Sequence, residues 1–307
     1  MDKQLVEVEK LQFNIAEQWV EMLLPQKVEL EKLLPSFVPF VGIAPQGKEM
    51  MCSLLVVHED EVVCESFRQL IDLNGVLGHR FRLMETEKGY VVELQMTEEG
   101  EWSRMTCDRY FTVGYAYLDL NAPWAGLALS SFMMVMFGQA AVLHRTVLIH
   151  ASVVEREGKG YAFLGKSGTG KSTHSALWLR YLQGFELLND DNPAVRIDAD
   201  GVVYVYGTPW SGKTPCYKNR KARLEALVRL EQAPVNEFYR EWGIAAILAL
   251  LPGCSSMRWN TKLYMTLVDV LEIIVHTVLV GHLKCLPDRA AALLCYDEIR
   301  NIIKRNE

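Results

Sequence analysis

The chain has 307 residues, half of them apolar, and its 32 Lys and Arg against 38 Asp and Glu leave a formal charge of −6. That length is enough for two cores. The acidic balance lacks the electrostatic footprint of a nucleic-acid binder, and the basic run KNRKAR at 218–223 is too short to restore it, so neither DNA nor RNA is an expected partner.

Seven cysteines, at positions 52, 64, 107, 216, 254, 285 and 295, are scattered and never form a C-x-x-C pair. They indicate neither a disulfide framework nor a zinc site, and a cytoplasmic location is expected. The N-terminal stretch MDKQLVEVEK is charged from its second residue and carries no apolar targeting core. Residues 127–143 are the one membrane candidate, but they are interrupted by Ser130, Ser131 and Gln139 and fall at or below spanning length. A buried core helix is expected there, and no membrane partner.

In chain order, residues 5–16 read as a strand, and WVEMLLPQKVELEKLL at 19–34 has helix-like spacing broken by Pro25. Residues 48–120 read as an antiparallel meander, with FRLMET, YVVELQM and WSRMTC separated by the turns EKG and TEEG. Nothing in this first part gathers His, Cys or carboxylates into a catalytic set, so it reads as a packing or acceptor-recognition domain. DLNAPWAG at 119–126 breaks the meander, giving a β-rich N-terminal α+β domain at 1–122 and a second domain at 123–307. The second opens with a helix to about His144, then the strand TVLIHASVV, the turn EREGKG and the strand YAFL. A glycine loop, the helix STHSALWLRYL and the strand FELLN follow. Strand, loop, helix and strand make a βαβ unit whose loop lies at the carboxyl edge of the sheet.

The loop GKSGTGKST satisfies G-x-x-x-x-G-K-[ST] through Gly165, Gly170, Lys171 and Ser172. In such a loop glycines let backbone N–H groups close around phosphate oxygens, and the following helix adds its positive N-terminal end. Lys171 would reach the β- and γ-phosphates, Ser172 would ligate Mg²⁺, and Lys166, Ser167, Gly168, Thr169 and Thr173 complete the phosphate cradle. The pair Asp190 and Asp191, ending the next strand, can divide two tasks, one holding the metal and one taking a proton from an attacking hydroxyl. It can also be a turn before Pro193. His150 sits on TVLIHASVV, where alternation places it on the face of Leu148 and Ser152, 21 residues ahead of Lys171. AVRID and VVYVY read as a hairpin across Asp200 and Gly201, and GTPWSGKTP at 207–215 follows it. There Lys213 either neutralises charge on a transferring phosphate, with Trp210 shaping the pocket, or belongs to an ordinary surface loop.

IHAS, GKSGTGKST and LLNDDNPAV, followed by RLEQAP, resemble the catalytic core of the HPr kinase/phosphorylase superfamily over about residues 123–307. The resemblance implies a P-loop kinase core of phosphoenolpyruvate-carboxykinase type. It implies ATP and Mg²⁺ bound by Lys171 and Ser172, Asp191 as base, Asp190 at the metal and His150 in the active site. The implied reaction is γ-phosphoryl transfer to a hydroxyl of a small protein, peptide or metabolite, by a protein that can be a homo-oligomer. Thr173 stands where the bifunctional enzymes carry Glu, and no ExRGxG segment is present, so the reverse reaction is not expected. The alternative from another class is a nucleotide-binding regulatory protein without turnover.

Overall fold

In the computed structural model the described residues are 8–57, 67–76, 79–95, 100, 102–212 and 214–306, without the side chains of 73–79 and 306. The chain is mixed α/β and divides into two compact units, Met1–Ala141 and Val142–Glu307.

The first unit opens with β1 (Glu9–Ile15) and β2 (Gln18–Leu24), an antiparallel hairpin closed by the pair Ile15↔Gln18. Ala16 and Glu17 hold φ of 52° and 61°, the two left-handed positions that a two-residue turn between twisted strands demands. Residues 19–24 are therefore strand where the spacing predicted helix. Val20, Met22 and Leu24 are all fully buried, so period two outweighs the helix-like spacing, and only α1 (Leu30–Leu33) is helical in that stretch. Residues 5–7 of the predicted first strand lie outside the described residues.

β3 (Cys52–Val57), β4 (Arg68–Val76), β5 (His79–Glu85), β6 (Gly89–Gln95), β7 (Trp102–Asp108) and β8 (Val113–Tyr117) complete a sheet of order β1-β2-β3-β8-β7-β6-β5-β4. β4 to β8 form the expected meander; most of the predicted TEEG turn lies outside the described residues. β3 departs from the meander, pairing in parallel with both β2 and β8.

α2 (Ala125–Ala140) groups with this unit, and the division falls at 141/142 where sequence reading placed it at 122/123. The cause is packing: Met136 lies against Gly114 of β8, and Met133 meets the buried Cys52 of β3. Among the described residues Ala125–His144 is the one helix long and apolar enough to cross a membrane, and 67% of its most apolar window is buried inside the protein.

The second unit carries β9 (Thr146–Leu148), β10 (Ala151–Arg156), β11 (Lys159–Leu164), α3 (Lys171–Tyr181), β12 (Glu186–Asp191), β13 (Ala194–Ile197) and β14 (Val203–Tyr206). β15 (Lys221–Gln232), β16 (Glu237–Glu241), α4 (Gly243–Leu250), α5 (Thr261–Thr277), β17 (Leu279–Cys285) and α6 (Arg289–Asn306) follow. The sheet order is β12-β10-β11-β15-β14-β13-β9, with β17 also on β15 and β16 on β17. One face is covered by α3 and α6, where Trp178, Phe163, Tyr161 and Tyr296 form an aromatic core. α4 and α5 bury Leu250, Leu267, Leu271 and Ile274 against the other.

β10 is antiparallel to both β11 and β12, so the expected βαβ pair is present as parallel strands with a third strand between them. A bulge in β12 breaks the register between Val153↔Asn189 and Val154↔Leu187. Leu188 and Asn189 then share the α4/α5 face, and the alternation of Asp190 and Asp191 is reset.

Candidate functional site

β11 runs directly into the glycine loop. Gly165, Gly168 and Gly170 hold φ of 154°, 82° and 98°, all in the region side chains avoid. A Cβ at Gly165 would collide with the Thr169 side chain. The loop is cross-linked by Thr169, whose N–H and hydroxyl both donate to the Lys166 carbonyl at 3.1 and 2.7 Å. Lys166, Ser167 and Gly168 stand exposed at its tip. Gly170 is the N-cap of α3, so Lys171, Ser172 and Thr173 form the first turn, where helix N–H groups lack partners within the helix. The Lys171 ammonium folds over the loop and donates to the Gly165 carbonyl at 3.1 Å. Partial burial lowers its pKa, opposed by the charges of Asp191 and Asp190.

Register brings the rest of the site to the same edge. Ala151 pairs with Leu164 on one side and Asp191 on the other, so the ends of β11 and β12 lie level with each other. Ser152 pairs with Asp190, and its hydroxyl takes a 2.7 Å hydrogen bond from Ser175 of α3, so Asp190 points to the α3 face. There the Ser172 hydroxyl donates to Asp190 Oδ1 at 2.9 Å. Asp191 faces the opposite side. Its Oδ1 accepts from His150 Nδ1 at 3.0 Å, and its Oδ2 from the Asn192 amide at 2.8 Å.

His150 does not sit inside one long strand. TVLIHASVV breaks at 149–150, where the Ile149 N–H bonds the Pro193 carbonyl and the His150 N–H bonds the Gly253 carbonyl at 2.6 Å. The alternation that grouped His150 with Leu148 and Ser152 is lost: those two are buried, while the His150 side chain is 40% exposed beside Asp191.

The loop after β14 is latched onto β12. Asn189, fully buried, donates to the Thr208 hydroxyl and the Trp210 carbonyl at 3.2 Å each, and the Thr208 hydroxyl donates to the Asn192 carbonyl at 2.7 Å. The Gly212 N–H reaches the Asp190 carbonyl at 2.7 Å. Trp210 is buried in this latch, and Lys213 lies outside the described residues.

Sequence reasoning missed Asn192, Thr208 and Gln232, whose amide donates to the Gly168 carbonyl at 3.2 Å. All three lie in stretches the sequence singles out, Asn192 in LLNDDNPAV, Thr208 in GTPWSGKTP and Gln232 in RLEQAP, but nothing local marks the individual residue.

Among the described residues no three His, Cys, Asp or Glu gather as a metal cage. Mg²⁺ needs none: it is commonly held by one or two carboxylates together with substrate phosphates. Ser172 and Asp190, hydrogen-bonded to each other beside the loop, fit that donor set.

No family model matches the chain, and no curated protein matches it. A solved structure of the Hpr(Ser) kinase/phosphatase from Coxiella burnetii aligns over 52% of this chain and 91% of its own, at 14% identity and a TM-score of 0.32. At that score the likeness carries no weight for fold or activity.

Proposed function

We propose that the second unit binds Mg²⁺ and ATP at the glycine loop and transfers the terminal phosphoryl group to a hydroxyl of a small protein, peptide or metabolite. The observation that carries this reading is the convergence of two pairs at one sheet edge, Ser172–Asp190 at 2.9 Å and His150–Asp191 at 3.0 Å, on either side of the strand end beside Lys171. Nucleotide binding alone requires the loop; it does not require a histidine-bonded carboxylate facing away from the metal side.

Phosphoryl transfer asks for in-line placement and charge neutralisation more than for covalent chemistry. Lys171 and the first turn of α3 would hold the β- and γ-phosphates. Ser172 and Asp190 would hold Mg²⁺, which would supply neutralisation of phosphate charge. Asp191, oriented by His150 and Asn192, would accept the proton of the attacking hydroxyl.

The test is ATP binding by calorimetry and ADP formation against a panel of hydroxyl acceptors. Lys171→Ala should lose nucleotide affinity and turnover with an unchanged denaturation curve, because Lys171 bonds loop carbonyls and not the core. A folded Lys171→Ala protein with undiminished ATP affinity and turnover would remove the loop from the reading.

A further inference from the structure

On the far side of the glycine loop from the aspartates lies a cleft of about 650 Å³, within the ordinary range for small-molecule sites. Its walls include Gly170, Leu230, Gln232, Pro234, Cys285 and Leu286. We infer that this cleft receives the base and ribose of the nucleotide, that it reads the base loosely, and that the Cys285 thiol lies against the bound nucleoside. The inference rests on the triphosphate reading above and adds where the nucleoside goes.

Strand order supplies the geometry. From the aspartates to the cleft it runs β12-β10-β11-β15-β17, with the glycine loop rising from the middle strand. Four strand spacings measure about 19 Å, comparable with an extended nucleoside triphosphate. A γ-phosphate placed by Ser172, Asp190 and Lys171 directs the rest of the molecule across Gly170 toward β15 and β17. Gln232 and Cys285 are register partners at the ends of those strands, and the Ala233 N–H bonds the Cys285 carbonyl at 3.2 Å, closing the cleft floor. The Leu286 wall is fixed by Asn236, which accepts the Leu286 N–H at 2.8 Å and donates to Asp288 at 3.1 Å.

The polar groups in the cleft are largely committed. The Gln232 amide donates to Gly168, the Thr169 hydroxyl to Lys166, and His174 Nε2 accepts from Trp178. Thr173, in the first turn of α3, adds a hydroxyl on the loop side, and the walls around Cys285 are Leu230, Ala233, Pro234, Leu286 and Pro287; an apolar pocket discriminates weakly where a site built to hydrogen-bond its ligand rejects analogues strongly. ATP and GTP should therefore bind within about tenfold of each other, or 1.4 kcal/mol.

Cys285 makes the inference measurable. It is partly exposed, whereas Cys52, Cys107, Cys216, Cys254 and Cys295 are buried. Its thiol pKa is raised, first by burial and then by Asp288, so it reacts slowly enough for rates to be compared. The experiment is N-ethylmaleimide labelling of the full chain, resolved cysteine by cysteine by peptide mass mapping. It is run without ligand and with saturating Mg²⁺-ATP, Mg²⁺-GTP or Mg²⁺-tripolyphosphate, each binding verified by calorimetry. Both nucleotides should slow Cys285 labelling at least about tenfold, and tripolyphosphate, which fills the phosphate loop alone, should leave it within twofold. The cleft-filling variant Ala233→Phe should lose nucleotide affinity and keep tripolyphosphate affinity. Unchanged Cys285 labelling under bound ATP, or equal protection by tripolyphosphate, would overturn the inference and leave the phosphate loop standing. Failure of tripolyphosphate and nucleotides alike to bind would overturn the loop reading and this inference with it.

Discussion

Replacing Thr208 by Val keeps shape and volume and removes one hydroxyl from the latch beside Asp190. That hydroxyl donates to the Asn192 carbonyl at 2.7 Å and accepts from the Asn189 amide at 3.2 Å and the Trp210 N–H at 3.3 Å, in a residue with no exposed surface. Each lost hydrogen bond costs about 1 kcal/mol net, and a buried partner left without a substitute costs about 1–3 kcal/mol. Asn189 retains its bond to the Trp210 carbonyl, so the buried Asn192 carbonyl, which loses its 2.7 Å donor, is the group most exposed to the change. The expected loss is about 2–4 kcal/mol, read from urea unfolding of Thr208→Val against wild type. Asn189→Leu should cost a similar amount, and the double variant less than the sum by about 1 kcal/mol, since the two residues share one network. Turnover should fall more than stability alone explains, because the Gly212 N–H on the Asp190 carbonyl depends on the same latch. A Thr208→Val loss below about 0.5 kcal/mol, the level of an ordinary surface change, would refute the reasoning.

Asp191→Asn should retain ATP binding and slow phosphoryl transfer by about a hundredfold to ten-thousandfold, since an amide cannot accept the hydroxyl proton; calorimetry and ADP release separate the two. Asp190→Asn should instead raise the Mg²⁺ concentration needed for half-maximal turnover. Gly165→Ala should cost about 1–3 kcal/mol in unfolding and weaken nucleotide binding, because its φ and the Thr169 contact leave no room for a methyl. His174 is buried as a neutral acceptor from Trp178, and burial lowers its pKa from 6.5 to about 4. The unfolded chain therefore takes up that proton first as pH falls. The contribution is complete above 6.5 and is lost toward 4, so His174→Gln should show about 2 kcal/mol less acid destabilisation between about pH 7.5 and 5.

The loop and its flanking elements were legible because their chemistry is local. Three glycines with positive φ, the motif lysine Lys171 and a helix start all fall within a nine-residue window. The Asp190–Asp191 pair was legible as a pair, but the face each aspartate takes depends on pairing with β10, which no local pattern encodes. The break at His150 is set by carbonyls of Pro193 and Gly253, distant in sequence, so alternation along TVLIHASVV pointed to a strand that does not persist. Residues 19–24 were misread because Leu and Met suit helix and strand alike, and the deciding turn at Ala16 and Glu17 lacks the glycine or asparagine that marks such turns. The membership of α2 is a matter of which sheet its side chains meet, which spacing within the helix cannot report.

The bulge at Leu188 and Asn189 acts as a one-residue phase shift. Without it, strict alternation from Leu187 would turn Asp191 toward Ser172 and Asp190 toward His150, exchanging the two carboxylates without changing a single side chain. The assignment of the metal-side and proton-side aspartates is thus written in backbone length. Deleting Leu188 would remove the extra residue and leave Leu187, Asn189, Asp190 and Asp191 opposite their present partners, so the aspartates would keep their faces; a strand straightened with Leu188 still in place would keep every site residue and present the two carboxylates in swapped order, a lesion that comparing residue identities at the motif would never reveal.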